Sequence, residues 1–392
     1  MTAELSRRLF LVCCLVLLIV GCGGAGEETN DRQIADDDSA EEDGNSLDGP
    51  AGAEIDDDND DDDDNDNDSS PAGFPNIDWA GLENPILARP DRMLKDQAVV
   101  YHNGWFHIFA STRFVNGDAS ENIARQRMYK TRDFRNYEEW WDDDLGYVGS
   151  PDVIRMGDRW FMAFWKPLNL NFEEMSRLYY STSEDLVDWS KDKPLLPGVQ
   201  PFQRHTHSAL AEVDGYVVLG YKHWEQFSIT RSVEAALDPY AWLDPVIAYP
   251  GGYEDWAENY QFLSIDGAWR MIATSNVTTG KYSSGREPFI YRARNGGVAF
   301  PDWQYWEERT HLEVPFEDWN QILHADSAYL CDWREYDGYF YLFYAGANDS
   351  ASFQGRGHGK IGVARSADLV EWKLPGVNNE GQTPNPGWEE AL

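Results

Sequence analysis

One stretch decides the fold of this chain: Leu94-Lys95-Asp96-Gln97-Ala98-Val99-Val100-Tyr101-His102-Asn103-Gly104-Trp105-Phe106-His107-Ile108-Phe109-Ala110-Ser111. An acidic residue leads into an apolar run, a turn follows at Asn103-Gly104, and an aromatic run returns. This pattern predicts a β-hairpin. A single hairpin cannot bury its own faces, so the chain has to supply partners for it.

The same phrase recurs four more times along the chain. Its turn glycines are Gly104, Gly157, Gly215, Gly267 and Gly338. The intervals of 53, 58, 52 and 71 residues are typical of a propeller blade. A second repeated pattern consists of a strand followed by a polar turn that ends at an aromatic residue. It is clearest at 180–189 and 364–372. The sequence therefore predicts an all-β fold, a five-bladed β-propeller with four-stranded antiparallel blades.

Charge is distributed unevenly along the 392 residues. The formal net charge is −37, and residues 27–70 carry 21 acidic residues against the single Arg32. Residues 71–392 still carry a net charge of −18. A domain this acidic repels phosphate backbones, so we expect no nucleic-acid partner.

The N-terminus has the layout of a secretory signal, in which Arg7-Arg8 precede an apolar run that ends at Gly21-Cys22. This ending resembles the lipobox of bacterial lipoproteins. The resemblance implies a signal peptide over 1–21, lipidation of Cys22 and a lipid-anchored protein of the bacterial cell envelope, at the outer membrane or cell surface. An ordinary signal peptide and an uncleaved anchor are the alternatives.

Residues 22–70 hold almost nothing apolar, which predicts a disordered acidic tether. The folded domain is predicted to span 71–392 as a monomer, with 87–89 pairing with the last blade to close the ring. Cys331 lies in a strand-like run and is predicted to be a buried small hydrophobe rather than a nucleophile.

Polar residues that precede the inner hairpins are the candidates for chemistry. The innermost strands of a propeller start near its axis, so these side chains are expected to converge on one funnel. The candidates are Asp96, Asp152, His205, His207, Glu258, Asn259, His324 and Asp326.

The first-blade phrase resembles that of the five-bladed propeller glycosidases, most nearly the arabinofuranosidases and xylosidases of glycoside hydrolase families 43 and 62. The resemblance runs from about residue 84 to 372. It implies that Asp96 is the general base and Glu258, nine residues before Gly267, the general acid. The run Ser150-Pro151-Asp152-Val153 resembles the second-blade phrase of the same enzymes.

The chain also departs from that family. Gln97 stands where a proline commonly follows the base, and Thr206 stands where the third-blade aspartate that tunes the acid is expected. Glu258-Asn259-Tyr260 replaces a Glu-Gly-Pro phrase. Altered chemistry and lost activity therefore remain open.

An inverting glycosidase needs an ionised base and a protonated acid about 6.5–9.5 Å apart. Asp96 near a wet funnel mouth is expected to stay ionised. Glu258, flanked by Trp256 and Tyr260, is expected to have a raised pKa. Glu254 and Asp255 are nearby alternatives for the acid. Asp96 has the alternative role of capping the turn or pairing with Lys95 or Arg92.

Six further residues are predicted to bind substrate: Asp152, His205, His207, Trp256, His324 and Asp326. For Asp152 and the histidines a purely structural role is the alternative. His205 and His207 alternate along a strand and should not share one metal ion. We expect no cofactor, and the sequence leaves a structural calcium ion in the funnel open. Trp165, Trp224 and Trp319 are further candidates for stacking on sugar rings.

These features predict a glycoside hydrolase, inverting and arabinofuranosidase-like, that removes furanoside or pentose residues from a polysaccharide or oligosaccharide. Two alternatives stand beside it. One is a noncatalytic propeller that binds glycan or protein, and the other is an anhydro-sugar exo-glycosidase with His205 or His207 as its acid.

The lipobox-like ending makes one prediction that needs no structure. Mass spectrometry of the native N-terminal peptide should find Cys22 as the first residue, carrying acyl chains, because the apolar run stops directly before it. An unmodified N-terminus at another residue would contradict both the lipid anchor and the membrane attachment.

Overall fold

The structure is a computed structural model, and it describes eleven segments of the chain. They are 73–114, 125–140, 149–167, 176–196, 204–224, 226–235, 241–249, 257–276, 286–321, 323–348 and 359–376. All of them belong to the unit Asp68–Leu392. The predicted signal peptide, Cys22 and the acidic tether lie outside the described residues.

Within these segments the chain forms twenty strands. They are β1 (Leu87–Ala88), β2 (Arg92–His102), β3 (Trp105–Phe114), β4 (Arg125–Thr131), β5 (Glu138–Trp140), β6 (Gly149–Met156), β7 (Arg159–Pro167), β8 (Ser176–Ser183), β9 (Lys193–Pro194), β10 (His205–Val213), β11 (Tyr216–His223), β12 (Gln226–Arg231), β13 (Val246–Ile247), β14 (Glu258–Ile265), β15 (Ala268–Asn276), β16 (Arg286–Ala293), β17 (Trp306–His311), β18 (Leu323–Asp332), β19 (Phe340–Ala347) and β20 (Lys360–Ser366).

The strands form five antiparallel sheets of four. Four sheets take consecutive strands, β2 to β5, β6 to β9, β10 to β13 and β14 to β17. The fifth joins β18, β19 and β20 to β1 from the start of the domain. The first strands of the five sheets contact one another in cyclic order, so they surround a common axis. The predicted five-bladed β-propeller is confirmed.

Helical structure in the described segments is limited to short turns. They are Trp79–Gly81, Arg294–Gly297, Phe300–Gln304 and Arg334–Asp337. Among the described residues, no helix is both long and apolar enough to cross a membrane.

The inner hairpins turn as their sequences require. Asn103-Gly104 places both residues in the left-handed region, with φ of 49° and 77°, and Asp214-Gly215 and Asp266-Gly267 do the same. Such turns match the right-handed twist of the flanking strands. In the fifth blade a helical turn, Arg334–Asp337, ends at Gly338 and replaces the two-residue turn.

The second repeated pattern in the sequence forms a capped turn after the third strand of a blade. In the second blade, Asp185 Oδ1 accepts hydrogen bonds from the backbone N–H groups of Val187 and Asp188, both at 2.9 Å. Asp133 and Asp368 cap the corresponding turns of the first and fifth blades. The aspartate of the repeat therefore has a local structural role, because it satisfies backbone donors that no strand pairs.

The first strand closes the ring, as the sequence predicted. Leu87 pairs with Ile361 and Ala88 with Lys360. Just ahead of β1, the amide of Asn84 donates to Val363 O at 2.9 Å and to Glu317 Oε2 at 2.8 Å, and it accepts from Val363 N at 3.0 Å. One side chain therefore links the start of the domain to its last blade.

Loss of the Asn84 amide should weaken ring closure. We expect Asn84→Ala to lower the free energy of unfolding by about 2–4 kcal/mol, because it leaves the Val363 N–H and C=O without their Asn84 partner and removes one of the three hydrogen bonds to Glu317 Oε2. Chemical denaturation measures the change. The control Asn136→Ala removes an exposed amide bonded within its own turn and should cost about 0.5 kcal/mol or less. Equal losses in the two variants would contradict this role of Asn84.

Candidate active site

A bulge interrupts the innermost strand of every blade. The pairing register of each strand with its neighbour shifts at the bulge. The first bulge residue of each strand has a left-handed φ between 47° and 53°: Asp96, Ser150, His207, Asn259 and Ser327. A bulge re-aims the side chain that it carries. All five of these residues line one cavity on the axis.

This axial cavity is small and polar. Its free volume of about 20 Å³ is enough for one water molecule. Besides the five bulge residues it is lined by Gln97, Pro151, Ser208, Tyr260, Ala328 and Tyr329. Each blade contributes to the lining, so the cavity is a meeting point of five distant segments of sequence.

Asp96 is a buried carboxylate held by the fifth blade. Ser327 Oγ donates to its Oδ1 at 2.9 Å, and Asn259 Nδ2 donates to Ser327 Oγ at 2.8 Å. Lys95 Nζ lies 3.7 Å from Oδ2. Burial disfavours the ionised form, but Lys95, His207 and Ser327 outweigh it, and the pKa of Asp96 is lowered. Asp96 is therefore ionised at neutral pH, which is the state a general base requires.

Glu258 is held between two cations. Lys222 Nζ donates to Oε1 at 2.8 Å, and Arg286 Nη1 donates to Oε2. Burial would raise the pKa of Glu258, but Arg286, His207 and Lys222 lower it well below its ordinary value. Glu258 is ionised in this arrangement.

The expectation of a raised pKa at Glu258 was therefore wrong. It rested on aromatic neighbours, but Tyr260 stacks on Phe227 with ring centroids 3.9 Å apart and donates its hydroxyl to Ala257 O. Trp256, like Glu254 and Asp255, lies outside the described residues. Two cations that the sequence did not point to, Lys222 and Arg286, determine the charge of the carboxylate.

His207 lies between the two carboxylates. Its Nε2 is 3.8 Å from Glu258 Oε2, and its Nδ1 is 3.2 Å from Ser150 Oγ. Burial lowers the pKa of His207, although the charges of Glu258 and Asp96 act to raise it. The imidazole is therefore neutral at neutral pH.

Asp152 lies two residues beyond the bulge of its strand and joins three blades. Leu210 N–H donates to Oδ2 at 2.6 Å, and Tyr329 Oη donates to Oδ1 at 3.2 Å. Burial raises the pKa of Asp152 to about 7 in spite of these hydrogen bonds. Asp152 is not among the residues that line the axial cavity, so its described contacts are structural.

His205 and His324 lie away from the cavity lining. His205 is buried against His223 and Tyr221, with ring centroids 4.9 Å and 5.3 Å away. His324 Nδ1 lies 2.9 Å from Glu287 Oε1, and its ring stacks on Phe316 at 3.5 Å. The structure therefore brings His207 to the axis, whereas His205 packs inside its own blade and His324 is held against Glu287 of the fourth blade.

Asp326 is fully buried beside the cavity. Its Oδ1 accepts from the backbone N–H of Ser327 at 2.8 Å, and its Oδ2 lies 3.9 Å from Arg286 Nη1. Arg286 thus stands between Glu258 and Asp326. Among the described residues, no group of three or more His, Cys, Asp or Glu side chains is arranged to hold a metal ion.

The predicted aromatic platforms differ in exposure. Trp165 is buried and donates its indole N–H to Ser150 Oγ at 3.2 Å. Trp319 is buried against Tyr344. Trp224, at the turn between β11 and β12, exposes 46% of its surface and has a left-handed φ of 52°. Of these three tryptophans, Trp224 is the one with a ring surface open to a sugar.

Sequence reasoning missed four residues of the site: Ser150, Ser327, Lys222 and Arg286. The two serines had a signal, since Ser150 is at the bulge and precedes the second-blade Pro-Asp pair, and Ser327 follows Asp326 directly. The two cations had none. Lys222 comes from the second strand of its blade and Arg286 from the third strand of its blade, whereas the predicted site residues all lie on or just before innermost strands.

Comparison with known proteins adds solved structures of similar shape. No family model and no curated protein matches the chain. A glycosyl hydrolase from Bacteroides ovatus aligns with a TM-score of 0.55 and 12% identity over 77% of this chain and 98% of that chain. A thermostable family-43 glycoside hydrolase aligns with a TM-score of 0.50 and 11% identity, over 76% and 99%.

A third structure belongs to work on the GH130 family of mannoside phosphorylases, which contains glycoside hydrolases that target β-1,2-mannosidic linkages in Candida mannan. It aligns with a TM-score of 0.55 and 12% identity over 81% of this chain and 98% of that chain. At these identities the likeness establishes the fold. The chain is similar in structure to the five-bladed propeller glycoside hydrolases, as its first-blade phrase suggested.

The raised pKa of Asp152 makes stability depend on pH. In the folded state Asp152 keeps its proton up to a pH of about 7, whereas an unfolded aspartate releases it near pH 4. The stabilisation from Asp152 is therefore complete below about pH 4 and is lost as the pH rises to 7. One pKa unit corresponds to about 1.4 kcal/mol, so the full effect approaches about 4 kcal/mol.

The variant Asp152→Asn cannot ionise and should lack this loss. We expect its free energy of unfolding, relative to wild type, to increase between pH 4 and about pH 7 and to level off above that pH in urea titrations. Asp158→Asn, at the exposed β6–β7 turn, is the control and should run parallel to wild type. A constant difference between wild type and Asp152→Asn would mean that Asp152 is ionised throughout.

Proposed function

We propose that the protein is a glycoside hydrolase whose reacting groups are Asp96 and Glu258. The observation that carries the proposal is the meeting of these two carboxylates, from the first and fourth blades, around His207 at the axis. His207 Nε2 is 3.8 Å from Glu258, and the charges of both carboxylates act on its pKa. The propeller fold of solved glycoside hydrolases supports the same class.

Asp96 has the properties of the base in an inverting hydrolysis. It is ionised, and Ser327 fixes one of its oxygens. In the proposed reaction Asp96 removes a proton from a water molecule that attacks the anomeric carbon, while an acid protonates the leaving oxygen on the other side of the sugar. Because Asp96 is buried, its charge interacts with neighbouring charges more strongly than it would in water.

Glu258 has to take up a proton before it can act as that acid. Lys222, at 1% exposure, is fixed, whereas the Arg286 side chain is 28% exposed and also lies near Asp326. We propose that substrate binding draws Arg286 away from Glu258, which removes the largest cause that lowers the pKa of Glu258. The acid would then be protonated only in the complex.

The finer parts of the proposal rest on sequence. Removal of furanoside or pentose residues from a polysaccharide or oligosaccharide follows from the resemblance of the first-blade phrase. Lipid attachment through Cys22 at the bacterial cell envelope follows from residues 7–22. The proposed protein is a monomeric, arabinofuranosidase-like enzyme that is anchored to a membrane surface.

A noncatalytic glycan-binding propeller is the second candidate, and the ion pairs of Glu258 favour it. A carboxylate that stays bonded to Lys222 and Arg286 is a structural anion. Thr206, in place of the third-blade aspartate, supplies no charge that would tune the pKa of Glu258. A histidine acid is the third candidate. Of the two histidines predicted for that role, His207 is the one that the structure places at the axis.

The experiment that tests the function compares Asp96→Asn and Glu258→Gln on two kinds of substrate. Reducing-sugar release is measured on arabinoxylan, arabinan and agar oligosaccharides, and phenol release on aryl glycosides. Asp96→Asn should lose most activity on both kinds. Glu258→Gln should lose it on oligosaccharides and retain it on aryl glycosides, whose leaving group needs no acid.

Asp158→Asn serves as the control for loss of a carboxylate and should behave as wild type. Equal losses in Glu258→Gln on both kinds of substrate would identify another acid, with His207 the next residue to test. No hydrolysis by wild type on any substrate, together with measurable oligosaccharide binding, would replace the proposal with the noncatalytic candidate.

A further inference from the structure

Three residues form a hydrogen-bonded chain that ends in the axial cavity. Trp165 Nε1 lies 3.2 Å from Ser150 Oγ, and Ser150 Oγ lies 3.2 Å from His207 Nδ1. All three side chains are buried, with exposures of 8%, 5% and 7%. The chain links the second blade to the third.

One direction in this chain is fixed by the chemistry of its members. An indole N–H can only donate, so Ser150 Oγ accepts from Trp165. The direction of the contact between Ser150 Oγ and His207 Nδ1 depends on the tautomer of His207. When the serine donates to Nδ1, the neutral imidazole carries its proton on Nε2.

The backbone around Ser150 is built to hold this geometry. Ser150 occupies the bulge with a left-handed φ of 47°, and its N–H donates to Ser111 Oγ at 2.8 Å. A side chain on Gly149 would lie 2.5–2.6 Å from the indole atoms of Trp165. The absence of a side chain at 149 therefore gives the indole its place beside the serine.

The other end of His207 faces the cavity without a hydrogen-bond partner in the described segments. The nearest acceptor named there, Glu258 Oε2, is 3.8 Å from Nε2, which exceeds hydrogen-bond distance. The charged groups that face the ring are Asp96 and Lys95 from the first blade, Lys222 from its own blade and Glu258 from the fourth. A donor between two carboxylates fits a sugar hydroxyl, which can accept from the imidazole and donate to an acid.

We propose that Trp165 and Ser150 are positioning residues that fix His207 in its Nε2–H tautomer. The fixed tautomer presents one N–H donor to a sugar hydroxyl at the axis. The sugar part of this proposal rests on the proposed glycosidase function, whereas the tautomer does not.

The tautomer is measured first, on the full chain without substrate. Long-range 1H–15N spectra of protein labelled on its eight histidines report which ring nitrogen carries the proton, and the set that disappears in His207→Gln is His207. At neutral pH we expect Nε2 protonated and Nδ1 unprotonated. A protonated Nδ1, alone or with Nε2, would overturn the proposal.

Variants then test the hydrogen-bonded chain of Trp165, Ser150 and His207. Ser150→Ala should let the Nδ1–H tautomer of His207 appear, and Trp165→Phe should do so in part, because the serine hydroxyl is then free to rotate. Ser232→Ala removes an equally buried hydroxyl outside the site and should leave the His207 signals unchanged. If the His207 tautomer is unchanged in Ser150→Ala, and circular dichroism shows that this variant is folded, the role of the serine is refuted.

Kinetics test the sugar contact. Ser150→Ala should raise KM about tenfold, the equivalent of one hydrogen bond, with a smaller change in kcat, and Ser232→Ala should leave both unchanged. An unchanged KM in both Ser150→Ala and His207→Gln would remove the sugar contact. If wild type hydrolyses no substrate, the proposed function fails. The tautomer of His207 measured without substrate still shows whether Trp165 and Ser150 position the imidazole.

Discussion

The bulge in the innermost strand of each blade is the constraint on which the site depends. A regular strand would alternate its side chains between the two neighbouring blades, and a polar residue would meet an apolar core on either side. The bulge breaks that alternation at one residue per blade and turns it toward the axis. Because the five bulges lie at the same level, five polar side chains meet in one cavity. The surrounding sheets hold each bulge residue in its strained left-handed conformation.

Charge at the axis is balanced, although the domain around it is strongly acidic. Lys95, Lys222 and Arg286 stand against Asp96, Glu258 and Asp326. Buried charges have to be paired because an isolated one is costly to desolvate. The pairing also means that removal of any one member changes the ionisation of the others. The site therefore behaves as one electrostatic unit, and the Glu258 carboxylate cannot be considered apart from its two cations.

The sequence was sufficient for the fold because the fold is repetitive. The turn glycines, the aspartate-capped turns and the closing strand at 87–89 each appear as a local pattern, and a pattern repeated five times predicts a ring. It also named Asp96 and His207, which line the axial cavity, and Glu258, which lies 3.8 Å from His207. It did not reveal the charge state of Glu258, because Lys222 and Arg286 approach from other strands, 36 and 28 residues away along the chain. Periodicity does not encode such contacts.

Closure of the ring by β1 has a consequence for the order of events in folding. Asn84 bonds to Val363 across 279 residues of chain, so the first strand of the domain waits for the last one to be made. Until β1 and β20 pair, both strands present unpaired edges, which are surfaces through which chains aggregate or pair incorrectly. Contacts of such long range slow folding. Completion of this propeller is therefore a late event, which cannot occur before β20 has been made.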